Sequence, residues 1–342
     1  MAYTTIKKPS DYFNTKLWSG NSTTSTGITG VGFQPDLVWI KNRTDVNNHA
    51  LFDVIRSATN YIESDTTDAE ATNSEFLQSF DSDGFTLGNA GRVNISGATY
   101  VGWNWLASNT TASNTDGSIT STVSANTTSG FSIVSYTGTG ANATIGHGLG
   151  VAPSMIITKY RDGANNWGVY HKDISAGKYL ELNTTIAEAS NTAVWNNTDP
   201  TSSVFSVGTN NRANSAGAMI AYCFAEVKGF SKFGSYVGNA NADGPFIYTG
   251  FKPAFVIFKN TSTIQNWNMY DNKRDPYNVM DKRLYPSLSN AEATDVSYYM
   301  DFLSNGFKIR TTSGSFNGSG NTIIYMAFAE EPLVGDNPAT AR

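Results

Sequence analysis

The chain has 342 residues, a formal net charge of −5 and only 15% charged side chains, while 39% are hydrophobic and 13% aromatic. That length holds two or three domains, and a mild negative charge without any Lys/Arg run argues against nucleic acid as a partner. One cysteine, Cys223, leaves no disulfide framework; no apolar stretch is long enough to span a bilayer, and the start MAYTTIKKPSDYF has no apolar leader core, so neither membrane insertion nor a secretory signal is expected.

In chain order, the first expected strand is YFNTKLWSG (12–20), followed by FQPDLVWIK (33–41). The run LVWI is rich in β-branched and aromatic residues and is bounded by a proline and a polar turn, which marks a buried strand. Pro35 would stand at its entry, where no ladder donor is needed, and Lys41 would be its solvated end, blunting an edge. His49 and Phe52 come next as scaffold positions, then a short helix over 53–62, then Glu70 between two alanines. SDGFTLG (82–88) makes a tight turn that delivers Phe85 to the core. ATYVGWNWLA (98–107) closes the series with Val101, Trp103 and Trp105 on one face at period two.

The same series is then written twice more. VAPSMIITK (151–159) and FKPAFVIFK (251–259) repeat the proline strand, with Trp167 and Trp267 at the place of His49 and Tyr170 and Tyr270 at the place of Phe52. Glu188 and Glu292 repeat the acid, and GAMIAYCFAE (217–226) and NTIIYMAFAE (321–330) repeat the closing strand. A period near 110 residues is too long for a solenoid. The fold class expected is all-β, with three tandem antiparallel β-sandwich domains, jelly-roll-like in strand number, at 1–112, 113–228 and 229–342. The polar linker 108–130 reads as an exposed joint with one strand of its own, and the tight joint 226–230 should hold the second and third units more rigidly together.

The repeat separates scaffold from function: a residue present in all three units belongs to the fold, and one found in a single unit is free for something specific. Trp195, in the unit-2 segment SNTAVWNNTDP (190–200), and Arg274, Tyr277, Arg283 and Tyr285, in the unit-3 segment NKRDPYNVMDKRLYP (272–286), pass that test as glycan- or partner-binding candidates. Aromatic rings beside Asn and Asp suit a sugar, whose C–H face is apolar and whose rim is polar; packing within the loop or against a neighbouring chain is the competing reading. Glu63, Asp65 and Asp68 approach the spacing of a glycosidase dyad, but Ser and Thr surround them and units 2 and 3 have no counterpart, so catalysis is not expected. Asp65, Asp68, Asp81 and Asp83 supply hard oxygens suited to Ca²⁺. Without a full twelve-residue loop, ordinary turns are the preferred reading, and no cofactor is expected.

PSDYFNTKLWSG, GFQPDLVWIKNR, LFDVIRSATNYI, TTDAEATNSEFLQSFDSDGFTLG and TYVGWNWLA together resemble a domain of structural and tail-fibre-like proteins of marine bacteriophages, over nearly all of residues 9–107. Units 2 and 3 look like divergent copies. The resemblance implies a virion component, made in the host cytoplasm and released by lysis, with other virion proteins and host cell-surface glycan as partners. It carries over no catalytic or binding residue. Placement on the tail or as capsid decoration stays open, as does homo-oligomerisation.

Overall fold

Alternation in the closing strands decides the architecture. The computed structural model describes residues 4–295 and 297–340 and is nearly all-β, with antiparallel sheets and, among the described residues, four one-turn α-helices and one 3-10 turn. One four-strand order recurs: opening strand, closing strand, proline strand, following strand. In unit 1 these are Phe13–Ser19, Thr99–Trp105, Leu37–Asn42 and Ala50–Asp53. In unit 2 they are Phe131–Gly138, Gly217–Phe224, Met155–Tyr160 and Gly168–His171, and in unit 3 Ser231–Val237, Thr322–Pro332, Phe251–Asn260 and Asn268–Asp271.

Each large sheet is covered on one face by a small one, which makes the sandwich. In unit 1 the small sheet is Thr26–Thr29, Gly84–Leu87 and Leu77–Asp81, and its Ile28, Phe85 and Leu87 pack on Val38, Ile40, Phe52 and Tyr100. Gly84 opens its strand at φ +149°, and a Cβ there would lie 1.9 Å from the Ile28 carbonyl oxygen, so the hairpin admits glycine alone.

The other face of all three large sheets meets in a common core. Val101, Trp103 and Trp105 join Ile220, Tyr222 and Phe224 and Ile324, Met326 and Phe328 there, the three faces expected from period-two alternation. Trp105 contacts Phe224 of unit 2 at 6.2 Å between ring centroids, and Phe255 and Phe328 of unit 3 at 5.9 and 5.8 Å, all edge to face. Each such pair adds about 0.5–1.5 kcal/mol beyond area burial.

Several local expectations are corrected. No helix forms over 53–62; Asp53 instead accepts from the main-chain N–H groups of Ile55 and Arg56 in a side-chain-braced turn. The linker is not a loose joint, because Ala112–Asn114 and Ser121–Asn126 extend the large sheet of unit 2 and Asn126 Nδ2 and Ser129 Oγ donate back to carbonyls of Ala107 and Leu106. Pro253 lies within its strand, tolerated at a register irregularity between Lys252 and Phe255. Lys41, Lys159 and Lys259, read as solvated strand ends, are all fully buried.

Candidate functional site

Where units meet, the repeated residues do the joining. Trp167 Nε1 of unit 2 donates to the Glu63 carbonyl of unit 1 at 2.9 Å, and Trp267 of unit 3 to the Glu181 carbonyl of unit 2 at 2.8 Å. His49 of unit 1 completes the ring on the Tyr285 carbonyl of unit 3, 2.9 Å from its Nε2. Its Nδ1 accepts from Trp39 Nε1, which places the proton on Nε2, and burial with the nearby Lys41 charge keeps the ring neutral. The main-chain N–H groups of Glu70, Glu188 and Glu292 donate across the same three seams in the opposite direction, to the carbonyls of Arg161, Thr261 and Arg43. The three units thus close head to tail.

Two of the three buried lysines serve these seams. Lys159 Nζ donates to the Thr67 carbonyl of unit 1 at 2.9 Å, and Lys259 Nζ to the Thr185 carbonyl of unit 2 at 3.0 Å; each also donates to a carbonyl of its own unit, Asn165 or Gln265. Lys41 instead donates within unit 1, to the carbonyls of Asn42 and Asp45. Burial pulls the Lys41 and Lys159 ammonium groups down to about 8 and that of Lys259 to about 7.

Of the unit-3 candidates, Arg274 is scaffold. It is buried and holds Asp271 at 2.5 Å, Glu292 at 3.0 Å and the Met269 carbonyl at 3.1 Å. Arg56 makes the same set in unit 1, with Asp53 at 2.5 Å, Glu70 at 3.2 Å and the Leu51 carbonyl at 2.8 Å. The signal is present in the sequence as Asp-x-x-Arg in DVIR and DNKR, directly after Leu51-Phe52 and Met269-Tyr270, and it shows that Arg274 is not unit-specific. Arg283 is also buried, its guanidinium 3.6 Å from the Tyr298 ring centroid and 4.6 Å from that of Tyr285, with Asp295 at 3.5 Å. Its cation is stacked inside the protein. Tyr285 is half-buried and spends its ring on Arg283 and its carbonyl on His49.

Tyr277 is different. It is 80% exposed, with Val279 beside it at 43%, on a loop braced at both ends. Asp275 Oδ2 accepts from the main-chain N–H groups of Asp281 and Lys282 at 2.9 and 2.7 Å. Asn278 and Phe302 exchange two hydrogen bonds, at 2.8 and 2.9 Å. A rigid loop therefore holds one aromatic ring out in solvent.

Trp195 is corrected. At 1% exposure it offers no ring face to a ligand, and it packs edge to face on Tyr170 at 5.9 Å. It ends the one-turn helix Thr192–Trp195, whose Asn191 cap accepts from Ala193 N–H.

The four candidate calcium ligands are dispersed into local turns. Asp65 accepts from His49 N–H at 2.9 Å, and burial pushes its carboxyl up to about 6. Asp81 accepts from Ser79 and Thr86 hydroxyls, and Asp83 from the Gly30 and Gly32 N–H groups, while Asp68 is exposed. Among the described residues no three His, Cys, Asp or Glu side chains come together to hold a metal ion. Glu63 is buried, paired with Arg92 and accepting from Asn48 Nδ2.

Residues 8–332 match the family model described as a domain of unknown function, DUF7483, and the chain belongs to that family. The match runs through all three repeats. No curated protein and no solved structure gives a significant match.

Proposed function

We propose that the chain is a non-enzymatic structural protein of a bacteriophage particle, displayed on the particle surface as a tail-associated adhesin that meets host surface glycan. The phage context comes from the motif resemblance over residues 9–107. The observation that carries the contact is the exposed Tyr277 on its braced loop, because a rigid exposed ring stacks a sugar with little loss of conformational entropy. Against catalysis, Glu63 is spent on Arg92 and Asn48, and Asp65 on the His49 main chain.

A second reading, capsid decoration, is favoured by the closed ring of three similar units, which offers three comparable faces to a site of threefold symmetry. One comparison separates them. Purified protein should bind host cells in a way that free surface polysaccharide competes with, and Tyr277→Ala should abolish that binding with no change in unfolding. Protein that ignores cells but binds empty capsids would replace the adhesin reading with decoration.

A further inference from the structure

The seam between units 3 and 1 is the one the chain does not cross, and a groove lies there along the edge of unit 1's large sheet. Its inner end is a cavity of about 50 Å³ bordered by Phe13, Thr15, Ala254, Asn272, Lys273 and Glu330. A wider trough of about 280 Å³ follows Asn14, Thr15, Lys16 and Leu17, again with Lys273 on its wall. Two oxygens at this place are buried without a hydrogen-bond partner, Thr15 Oγ1 and Asn272 Oδ1, on residues 5% and 4% exposed. A buried acceptor left in that state is destabilising.

The repeats show that the fold does not demand this. Thr15 lies opposite Trp103 in its sheet; the residues opposite Tyr222 and Met326 in the other two units are Ile133 and Phe233, both in the shared core. Unit 1 alone has a hydroxyl there.

Unit 2 shows what such an edge accepts. The opening strand of unit 2 is covered by Ser121–Asn126, antiparallel, from Ser121 opposite Tyr136 to Asn126 opposite Phe131. In unit 1 the corresponding strand, Phe13–Ser19, is the last of its sheet, so one row of its main-chain N–H and C=O groups faces away from the sheet. Unit 3's opening strand is terminal too, but among the described residues it carries no unpartnered buried polar atom.

We propose that this edge of unit 1 binds an extended, acidic segment of a partner polypeptide, which adds as an antiparallel fifth strand beside Phe13–Trp18. Strand addition pairs the outward main-chain N–H and C=O groups of this edge, and the Thr15 hydroxyl has a hydrogen to give to an incoming carboxylate. Lys16 and Lys273 both border the trough, while Glu330 of the inner cavity pairs with Lys252 and Asp83 beside Gly30 accepts from the Gly30 and Gly32 N–H groups, so the trough wall favours an acidic strand. In the register of Ser121–Asn126, the residue at the place of Val123 stands opposite Lys16. The residue at the place of Ser124 stands opposite Thr15, beside Asn272 and Lys273. The inference is independent of the glycan reading, which rests on the Tyr277 ring and not on the edge of unit 1.

The probe is a labelled peptide of residues 119–128, with glutamate in place of Val123 and Ser124, titrated into the full chain by fluorescence anisotropy. Saturable binding is expected. It should weaken by about tenfold or more in Lys16→Glu/Lys273→Glu, weaken in Thr15→Ile (which copies unit 2), and vanish when the peptide's edge-facing amides are N-methylated. Absence of saturable binding up to millimolar peptide overturns the proposal. So does equal binding of the N-methylated peptide, which would reduce the contact to charge alone. A polyuronate oligosaccharide that binds more tightly than the peptide and displaces it would make the groove a sugar site instead.

Discussion

Lys259→Met tests the seam energetics most directly. Burial brings the Lys259 ammonium to about 7 in the fold, against roughly 10.4 in an unfolded chain. Between those values the unfolded state binds more protons than the native one, so stability rises with pH. The direction follows from the lowered value: the full penalty of the buried charge is present below pH 7 and is relieved as pH climbs towards that of the unfolded lysine. At about 1.36 kcal/mol per pH unit, corrected for partial protonation near 7, Lys259 alone should add roughly 2 kcal/mol of stability between pH 7 and pH 9. Methionine removes the titration. It also removes a donor from the Gln265 carbonyl, at about 1–2 kcal/mol, whereas the Thr185 carbonyl keeps its bond from Gln265 N–H. Relief of the buried charge outweighs that loss at pH 7. Urea unfolding at both pH values should therefore find the variant at least as stable as the parent at pH 7, without the parent's full alkaline rise. An identical rise in parent and variant would refute the reasoning, and a large loss of stability at pH 7 would show the ammonium to be a net stabiliser.

Arg274→Met should cost about 3–5 kcal/mol in chemical unfolding, because it strands the buried Asp271 carboxylate that also receives Trp103 Nε1 at 3.1 Å; a loss below about 1 kcal/mol would show the carboxylate to be satisfied without it. Residues 113–228 expressed alone should not give a cooperatively folded monomer. Separation would bare Phe131, Ile157, Trp167, Tyr222 and Phe224, which the shared core buries. A soluble monomer with a sharp thermal transition would show unit 2 to be self-sufficient.

Strand identity is legible because period two is written into the side chains: alternation alone assigns Trp103, Tyr222 and Met326 to the apolar faces of their strands. What those faces meet is not legible. Pattern says only that a face is apolar, and three sandwiches could have buried such faces separately. The lysines mislead for a related reason. Lys41, Lys159 and Lys259 stand at strand ends, where lysine is ordinarily solvated, and their partners are main-chain carbonyls of loops, which have no residue signature. Trp195 looks exposed because Asn and Thr flank it, but those residues cap and end a one-turn helix whose last ring is turned inward. Tyr277 sits in comparable polar company and does point out, and nothing in the local sequence distinguishes the two.

The seam between units 2 and 3 shows how such contacts change together. At the other two seams an aspartate accepts from the neighbour's closing strand, Asp53 from Tyr222 at 2.7 Å and Asp271 from Trp103, and an arginine holds each aspartate. Unit 3 has Met326 at the corresponding closing-strand position, opposite Phe233, and methionine has no hydrogen to give. An aspartate facing it would be a buried charge without a donor. Unit 2 carries His171 there instead, with Ile174 in the arginine's place. His171 Nδ1 accepts from Asp173 N–H, so Nε2 bears the proton and donates to the Tyr325 carbonyl at 3.2 Å. Burial brings the ring down to about 4, which keeps it neutral at pH 7. The outer ion pair has gone as well: Thr261 stands where Arg43 and Arg161 bind Glu292 and Glu70, and Glu188 turns to Lys178 of its own unit. Donor and acceptor have exchanged sides, and three charged groups have left without opening the ring. Buried ion pairs are costly to form and ruinous to break singly, but a complementary neutral set can replace them whole. That this has happened where the chain itself ties the two units through only residues 226–230 fits the physics, because a short covalent joint already limits how far that seam can part.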